Sequence, residues 1–190
     1  MTRLYLIRHG KPQTVWGQSS DEDPGLDQTG HKQAEAASRA LLALPQAVRP
    51  RLVISSPLRR CRETAVPFAA AIGAEIEIDP AVGEIPTPAA LTAQERPAWL
   101  RRAFSGTWAE IDGDLDYEVW RRAVALSLLG RGGTAVFSHY VAINAAVSSI
   151  TGADAVLSIR PDHTSIITLD IVDGRLVLVD QGRQAETQVL

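Results

Sequence analysis

The sequence predicts an α/β three-layer sandwich: a mainly parallel sheet with helices on both faces and an antiparallel edge. Three observations predict it. Short runs rich in β-formers alternate with helical patterns along most of the chain, which is the arrangement of parallel strands joined by crossover helices. Some of these runs are apolar throughout, as strands covered on both faces are. Near the end, Asp173-Gly174 separates two strand-like runs, a strong hairpin signal that adds an antiparallel edge. The 190 residues suffice for one good-sized domain. We expect a single domain over 1–190, with 86–130 a partly helical insertion over the site.

The elements follow in order. Arg3 to Ile7 (RLYLI) reads as a buried strand that ends at Arg8-His9-Gly10. Lys11 to Pro24 is polar and carries Gly and Pro, so it reads as a loop. Asp27 is a plausible N-cap for a helix whose Ala34, Ala37, Leu41, Leu42 and Leu44 recur at helical spacing. Leu52 to Ser55 is a second strand. Ser56-Pro57 then opens a helix, with Ser as cap and Pro at the first helical position. Glu75 to Ile78 alternates and makes a third strand, and the proline-rich stretch 80–97 reads as loop. Helices are expected around Ala98 to Phe104 and Tyr117 to Leu129, a strand at Thr134 to Phe137, and a helix at His139 to Ile150. The hairpin strands are Ser165 to Ile171 and Leu176 to Val179.

Composition removes several functions. The net charge of −3 argues against a nucleic-acid or membrane binder, which usually shows a basic stripe. Arginine is abundant but local, so an anionic site or a solvated helix face explains each cluster. Cys61 is the single cysteine, which excludes a disulfide framework and a Cys-rich zinc site and fits a reducing, cytoplasmic location. The apolar run in MTRLYLIRHG is too short for a signal peptide, and no stretch approaches the roughly 20 apolar residues of a membrane span. No pattern specifies an oligomeric state.

In parallel α/β sheets, ligands bind beyond the carboxyl ends of the strands, where strand order reverses. Here Arg8-His9-Gly10, Ser56-Pro57-Leu58-Arg59-Arg60 and Ser138-His139 each follow an apolar strand, so two histidines and two or three arginines should converge. Such a cluster suits phosphoryl transfer, in which charge spreads over three oxygens and catalysis is mostly positioning and electrostatics. Arginine offers a planar fork of donors, and a helix N-terminus adds backbone N–H groups. A neutral imidazole can attack phosphorus, and nearby arginine charges favour that form. The second histidine can donate to a phosphoryl oxygen. The leaving group needs a proton, and Glu84, in the loop after the third strand, is the candidate. Asp21, Glu22 and Asp23 are the next candidates.

Four segments, LYLIRHG (4–10), LDQTGHKQA (26–34), SSPLRRCRETA (55–65) and VFSHYVAI (136–143), together resemble the histidine phosphatase superfamily, which also contains the cofactor-dependent phosphoglycerate mutases. The resemblance spans residues 3 to about 150. It implies that His9 is the nucleophile, that Arg8, Arg60 and His139 complete the phosphate pocket, and that Glu84 donates the proton. Arg60 is favoured over Arg59 because Cys61 falls where the family has Ala and Thr64-Ala65 is in register. Gly10 and Lys11, beside His9, are expected to contact substrate, with a solvent-facing role as the alternative for Lys11. No metal and no organic cofactor are implied, and the expected partner is a phosphorylated small molecule.

The sequence also departs from the family pattern. Lys11 replaces the usual Glu or Gln, Val15 or Trp16 stands where the mutases have Asn, and Ile85-Pro86-Thr87-Pro88 follows Glu84. The expected activity is therefore a metal-independent phosphatase of the histidine acid phosphatase type, acting on phosphate monoesters through a phosphohistidine. The alternatives are a phosphoglycerate mutase-type transferase, a non-catalytic phosphate-binding module, or a phosphatase of phosphorylated proteins. His163, which precedes an edge strand, reads as structural, with the border of the pocket as the alternative; His31 reads as exposed, Cys61 as packing, and Trp99, Trp108 and Trp120 either as pocket wall or as core.

Overall fold

A computed structural model describes residues 2–14, 21 and 23–185. Val15, Trp16 and Glu22 lie outside the described residues. Among the described residues six strands form one sheet: β1 (Thr2–Arg8), β2 (Leu52–Ser55), β3 (Ile76–Ile78), β4 (Thr134–Ser138), β5 (Ile166–Val172) and β6 (Arg175–Asp180). Their order is β3-β2-β4-β1-β5-β6. The pairs β3–β2, β2–β4 and β4–β1 are parallel, whereas β1–β5 and β5–β6 are antiparallel. The expected antiparallel edge is therefore the β5–β6 hairpin. Its turn places Asp173 at φ 49° and Gly174 at φ 73°, the paired positive angles that match a hairpin's twist.

Among the described residues five α-helices cover the sheet: α1 (Gln28–Leu42), α2 (Arg59–Ile72), α3 (Arg96–Phe104), α4 (Tyr117–Leu128) and α5 (Tyr140–Thr151). The alternation of β1 shows why there are two cores. Tyr5 and Ile7 face one side and pack with Leu41 of α1 and with Cys61, Ala65 and Phe68 of α2. Leu4 and Leu6 face the other side and pack with α5 and with Trp99, Trp108, Tyr117 and Val124. Phe68 and Phe137 are fully buried, each worth roughly 1.5–3 kcal/mol against exposure. Trp99 and Trp108 belong to this core, with the Trp99 Nε1 donating to the Asp112 carbonyl at 2.8 Å. Among the described residues no helix is long and apolar enough to cross a membrane.

Two helix starts differ from the sequence reading. Asp27 caps α1 as expected, accepting from the Gly30 N–H at 2.6 Å. The helix after β2 begins at Arg59, with Leu58 at the cap position and no side-chain cap of its own, so Ser56-Pro57 precedes it. The Asp23 carboxylate accepts from the Arg59 N–H at 2.9 and 3.0 Å and serves that terminus from a distant part of the chain. The Ser56 hydroxyl has another partner, described below. Pro97 falls in the first turn of α3, where its missing N–H costs nothing.

Candidate active site

The parallel ladder brings the strand exits together. Arg8 pairs with Ser138 and Ser55 with Phe137 across β4, and the backbone continues the pattern past the strands. The His9 N–H bonds to the Ser138 carbonyl at 3.0 Å, and the Ser56 N–H to the Phe137 carbonyl at 2.9 Å. His9, Ser56 and His139 thus emerge side by side at one end of the sheet.

His9 is buried, and its Nδ1 lies 2.8 Å from the Gly10 carbonyl oxygen. A carbonyl only accepts, so Nδ1 carries the proton and the neutral ring keeps its lone pair on Nε2. Burial first, then the charge of Arg60, the neighbouring His139 and Arg8 hold the pKa well below the ordinary histidine value. The ring is edge-on to His139 with centroids 5.4 Å apart.

The cations surround it. Arg60 is buried on the first turn of α2 and places Nη2 at 3.2 Å from His139 Nδ1 and 3.7 Å from Glu84 Oε2. Arg8 donates from Nη1 to the Pro161 carbonyl at 3.0 Å and lies 4.9 Å above the Tyr140 ring. Burial lowers its pKa to about 10, so it keeps its charge at neutral pH. His139 is enclosed: Nδ1 receives the Arg60 N–H, so Nε2 carries the proton and donates to Ser56 Oγ at 2.7 Å. Burial, Arg60, Arg96 and Arg8 keep this ring neutral too. Glu84 completes the cluster, with Oε2 at 3.6 Å from His139 Nδ1 and Oε1 accepting from the Ile85 N–H at 3.0 Å. His9, Arg8, Arg60, His139 and Glu84 are therefore one assembly.

Gly10 and Lys11, expected against substrate, have other partners. The Gly10 N–H donates to Thr64 Oγ1 at 3.0 Å, and a Cβ there would stand 2.7 Å from the Gly30 carbonyl oxygen. Glycine is thus required for close approach to the start of α1. Lys11 Nζ lies 3.1 Å from Asp27 and is half-exposed. Asp21 and Asp23 serve the Arg59 region, since the Asp21 carboxylate accepts from the Asp23 N–H at 3.0 Å. The Cys61 thiol is buried 3.3 Å from His139 Nε2, and burial pushes its pKa up, against any role as nucleophile.

Three neighbours were not assigned to the site from the sequence. Ser56 orients His139. Arg96, buried on α3, donates to the Ile85 carbonyl at 3.3 Å and interacts electrostatically with Glu84. Its spacing with Trp99, Leu100 and Ala103 puts it on the apolar face of that helix, a signal legible in the sequence. His163 lies with its ring centroid 5.7 Å from that of His9. Among the described residues no three His, Cys, Asp or Glu side chains are grouped to hold a metal ion.

A family model described as the histidine phosphatase superfamily (branch 1) matches residues 4–183. No curated protein matches the chain. Among solved structures, a mycobacterial glucosyl-3-phosphoglycerate phosphatase is 20% identical with a TM-score of 0.73, over 97% of this chain and 100% of that one. A phosphoserine phosphatase from Entamoeba histolytica, in complex with 3-phosphoglyceric acid, is 21% identical with a TM-score of 0.74, over 97% and 98% of the two chains. At this identity the likeness is one of fold.

Proposed function

The chain belongs to the histidine phosphatase superfamily, branch 1, and on that premise we propose that it is a metal-independent phosphatase of small-molecule phosphate monoesters, working through a phosphohistidine on His9. One observation carries the reading. His9 is held neutral, with its Nδ1 proton on the Gly10 carbonyl and its Nε2 lone pair free to attack, beside the guanidinium groups of Arg8 and Arg60. Residues 86–130 are read with it as the partly helical insertion over the site. The phosphatases of similar fold point to a small phosphorylated metabolite as the class of substrate.

In the first step, the Nε2 lone pair forms a bond to phosphorus as the bond to the ester oxygen breaks in line. Glu84, protonated, gives its proton to that oxygen, and the alcohol leaves. Arg8 and Arg60 offset the charge on the three equatorial oxygens. Their charges are fixed and already desolvated, so little reorganisation is needed when the transition state forms. In the second step, Glu84, now a carboxylate, takes a proton from water as its oxygen bonds to phosphorus. The P–N bond breaks, and His9 returns to its neutral form.

The test is hydrolysis of p-nitrophenyl phosphate in EDTA from about pH 4 to about pH 9, comparing wild type with His9→Ala and Glu84→Gln. Wild type should turn over in the chelator, and His9→Ala should lose at least about a thousandfold in kcat. Glu84→Gln should lose about a hundredfold or more with this substrate's successors that have poorer leaving groups, such as alkyl phosphates. Because His9 titrates below the ordinary histidine range, wild-type activity should persist on the acid side of pH 6.5. Turnover that survives His9→Ala, or that disappears with EDTA, would sink the reading.

A further inference from the structure

Among the described residues three histidines meet at this end of the sheet: His9 is the proposed nucleophile, and His139 packs against it and receives the Arg60 N–H. The third, His163, stands in the loop that enters β5. Because β5 runs antiparallel to β1, with Ile7 opposite Ile166, its entry lies beside the exit of β1. There the His163 Nδ1 is 3.1 Å from the His9 carbonyl oxygen. A carbonyl only accepts, so this nitrogen is the donor.

The loop is anchored on several sides. Its Thr164 takes φ 57°, a left-handed conformation that a β-branched residue adopts at a cost. The Thr164 N–H bonds to the Arg8 carbonyl at 3.1 Å, and the Arg8 N–H to the Ser165 carbonyl at 3.2 Å. From the C-terminal segment, Arg183 donates to the His163 carbonyl at 2.7 Å and to the Asp162 carboxylate at 3.0 Å. These bonds hold the imidazole of His163 against the backbone of His9.

We propose that His163 is a positioning residue for the nucleophile, fixing through its Nδ1–H the peptide between His9 and Gly10 and with it the direction in which His9 attacks. The inference rests on the reading of His9 as nucleophile. Its physical basis is the coupling of ring to backbone at this point. The His9 ring is itself bonded to the Gly10 carbonyl, so turning the Gly10 backbone turns the ring. Glycine resists such turning least of all residues. Ser138 holds the His9 N–H and Thr64 holds the Gly10 N–H, and His163 holds the carbonyl between them.

Amide side chains separate positioning from mere packing. Asparagine can place its N–H where the histidine Nδ1 is, whereas glutamine places its N–H nearer the position of Nε2. Wild type, His9→Ala, His163→Asn, His163→Gln and His163→Leu are compared in kcat and KM on p-nitrophenyl phosphate, with thermal melts to confirm folding. His163→Asn should stay within about threefold of wild-type kcat, while His163→Gln and His163→Leu should lose about ten- to a hundredfold, with KM changed by less than about threefold. Should His163→Leu not fold, the Asn and Gln pair alone decides. Wild-type kcat in the Gln variant, an equal loss in Asn and Gln, or a change confined to KM would overturn the inference. A wild type without turnover, or an active His9→Ala, would instead overturn the reading of His9 on which it rests.

Discussion

Replacing His163 with Asn should make folding stability less sensitive to acid. The ring is partly buried, and that burial, followed by the charge of Arg8, lowers its pKa to about 4. The bond to the His9 carbonyl, Asp162 and Asp27 pull the other way. A histidine in the unfolded chain titrates near 6.5, so below that pH the unfolded state takes up a proton that the folded state refuses. Stability therefore falls as pH drops through 6.5 and stops falling once the folded ring also protonates, near pH 4. At about pH 5 the unfolded imidazole is almost fully charged and the folded one almost fully neutral, a difference of about 2 kcal/mol. Water reaching the partly buried ring screens part of this, leaving about 1–2 kcal/mol. His9 and His139 have depressed pKa values as well and add to the same slope, but they do so in both proteins and cancel in the comparison. Urea unfolding at about pH 7.5 and about pH 5 should show wild type losing about 1–2 kcal/mol more than His163→Asn between the two. Equal losses would mean that the folded ring is not kept neutral, and the argument from burial and Arg8 would fail.

Other substitutions test the remaining contacts. Ser56→Ala removes the acceptor for the buried His139 Nε2–H and should lower kcat on p-nitrophenyl phosphate about tenfold and stability in urea by about 1–3 kcal/mol. Gly10→Ala would drive a methyl group to 2.7 Å from the Gly30 carbonyl oxygen, and urea unfolding should record a loss of about 2 kcal/mol. Lys11→Ala should leave kcat/KM within about threefold, because the ammonium group is half-exposed on Asp27; a loss beyond about tenfold would return Lys11 to the substrate. Cys61→Ala should keep turnover within about threefold, since a buried thiol with a raised pKa supplies no thiolate.

Much of this architecture was legible because the strands declare themselves. LYLI in β1 and AVF in β4 are apolar because Leu4 and Leu6 meet one helical layer, Tyr5 and Ile7 the other, and β4 is buried between β1 and β2. Once those runs are parallel strands, the residues after them must meet, and His9, Arg60 and His139 do so. Ser56 was misread for a reason of scale. A serine before Pro57 satisfies the local rule for a helix cap, whereas its hydroxyl faces a histidine 83 residues away, which no local rule can see. The start of α2 was lost to the same cause, since the carboxylate that serves it, Asp23, comes from a different loop.

His163 shows where the strand-exit rule runs out. That rule directs attention to the carboxyl ends of parallel strands, but an antiparallel neighbour offers its entry, not its exit, to the same end of the sheet. The Asp173-Gly174 hairpin already implied an antiparallel edge. What it left open was which strand β5 would join, and only pairing with β1 puts Pro161 and His163 beside Arg8 and His9. In a mixed sheet of this kind, the search for site residues should therefore include the loop that enters the antiparallel strand next to the first parallel one. Here that loop accepts from one proposed phosphate ligand, Arg8, and donates to the backbone of the proposed nucleophile, so the antiparallel edge and the parallel strands build the site together.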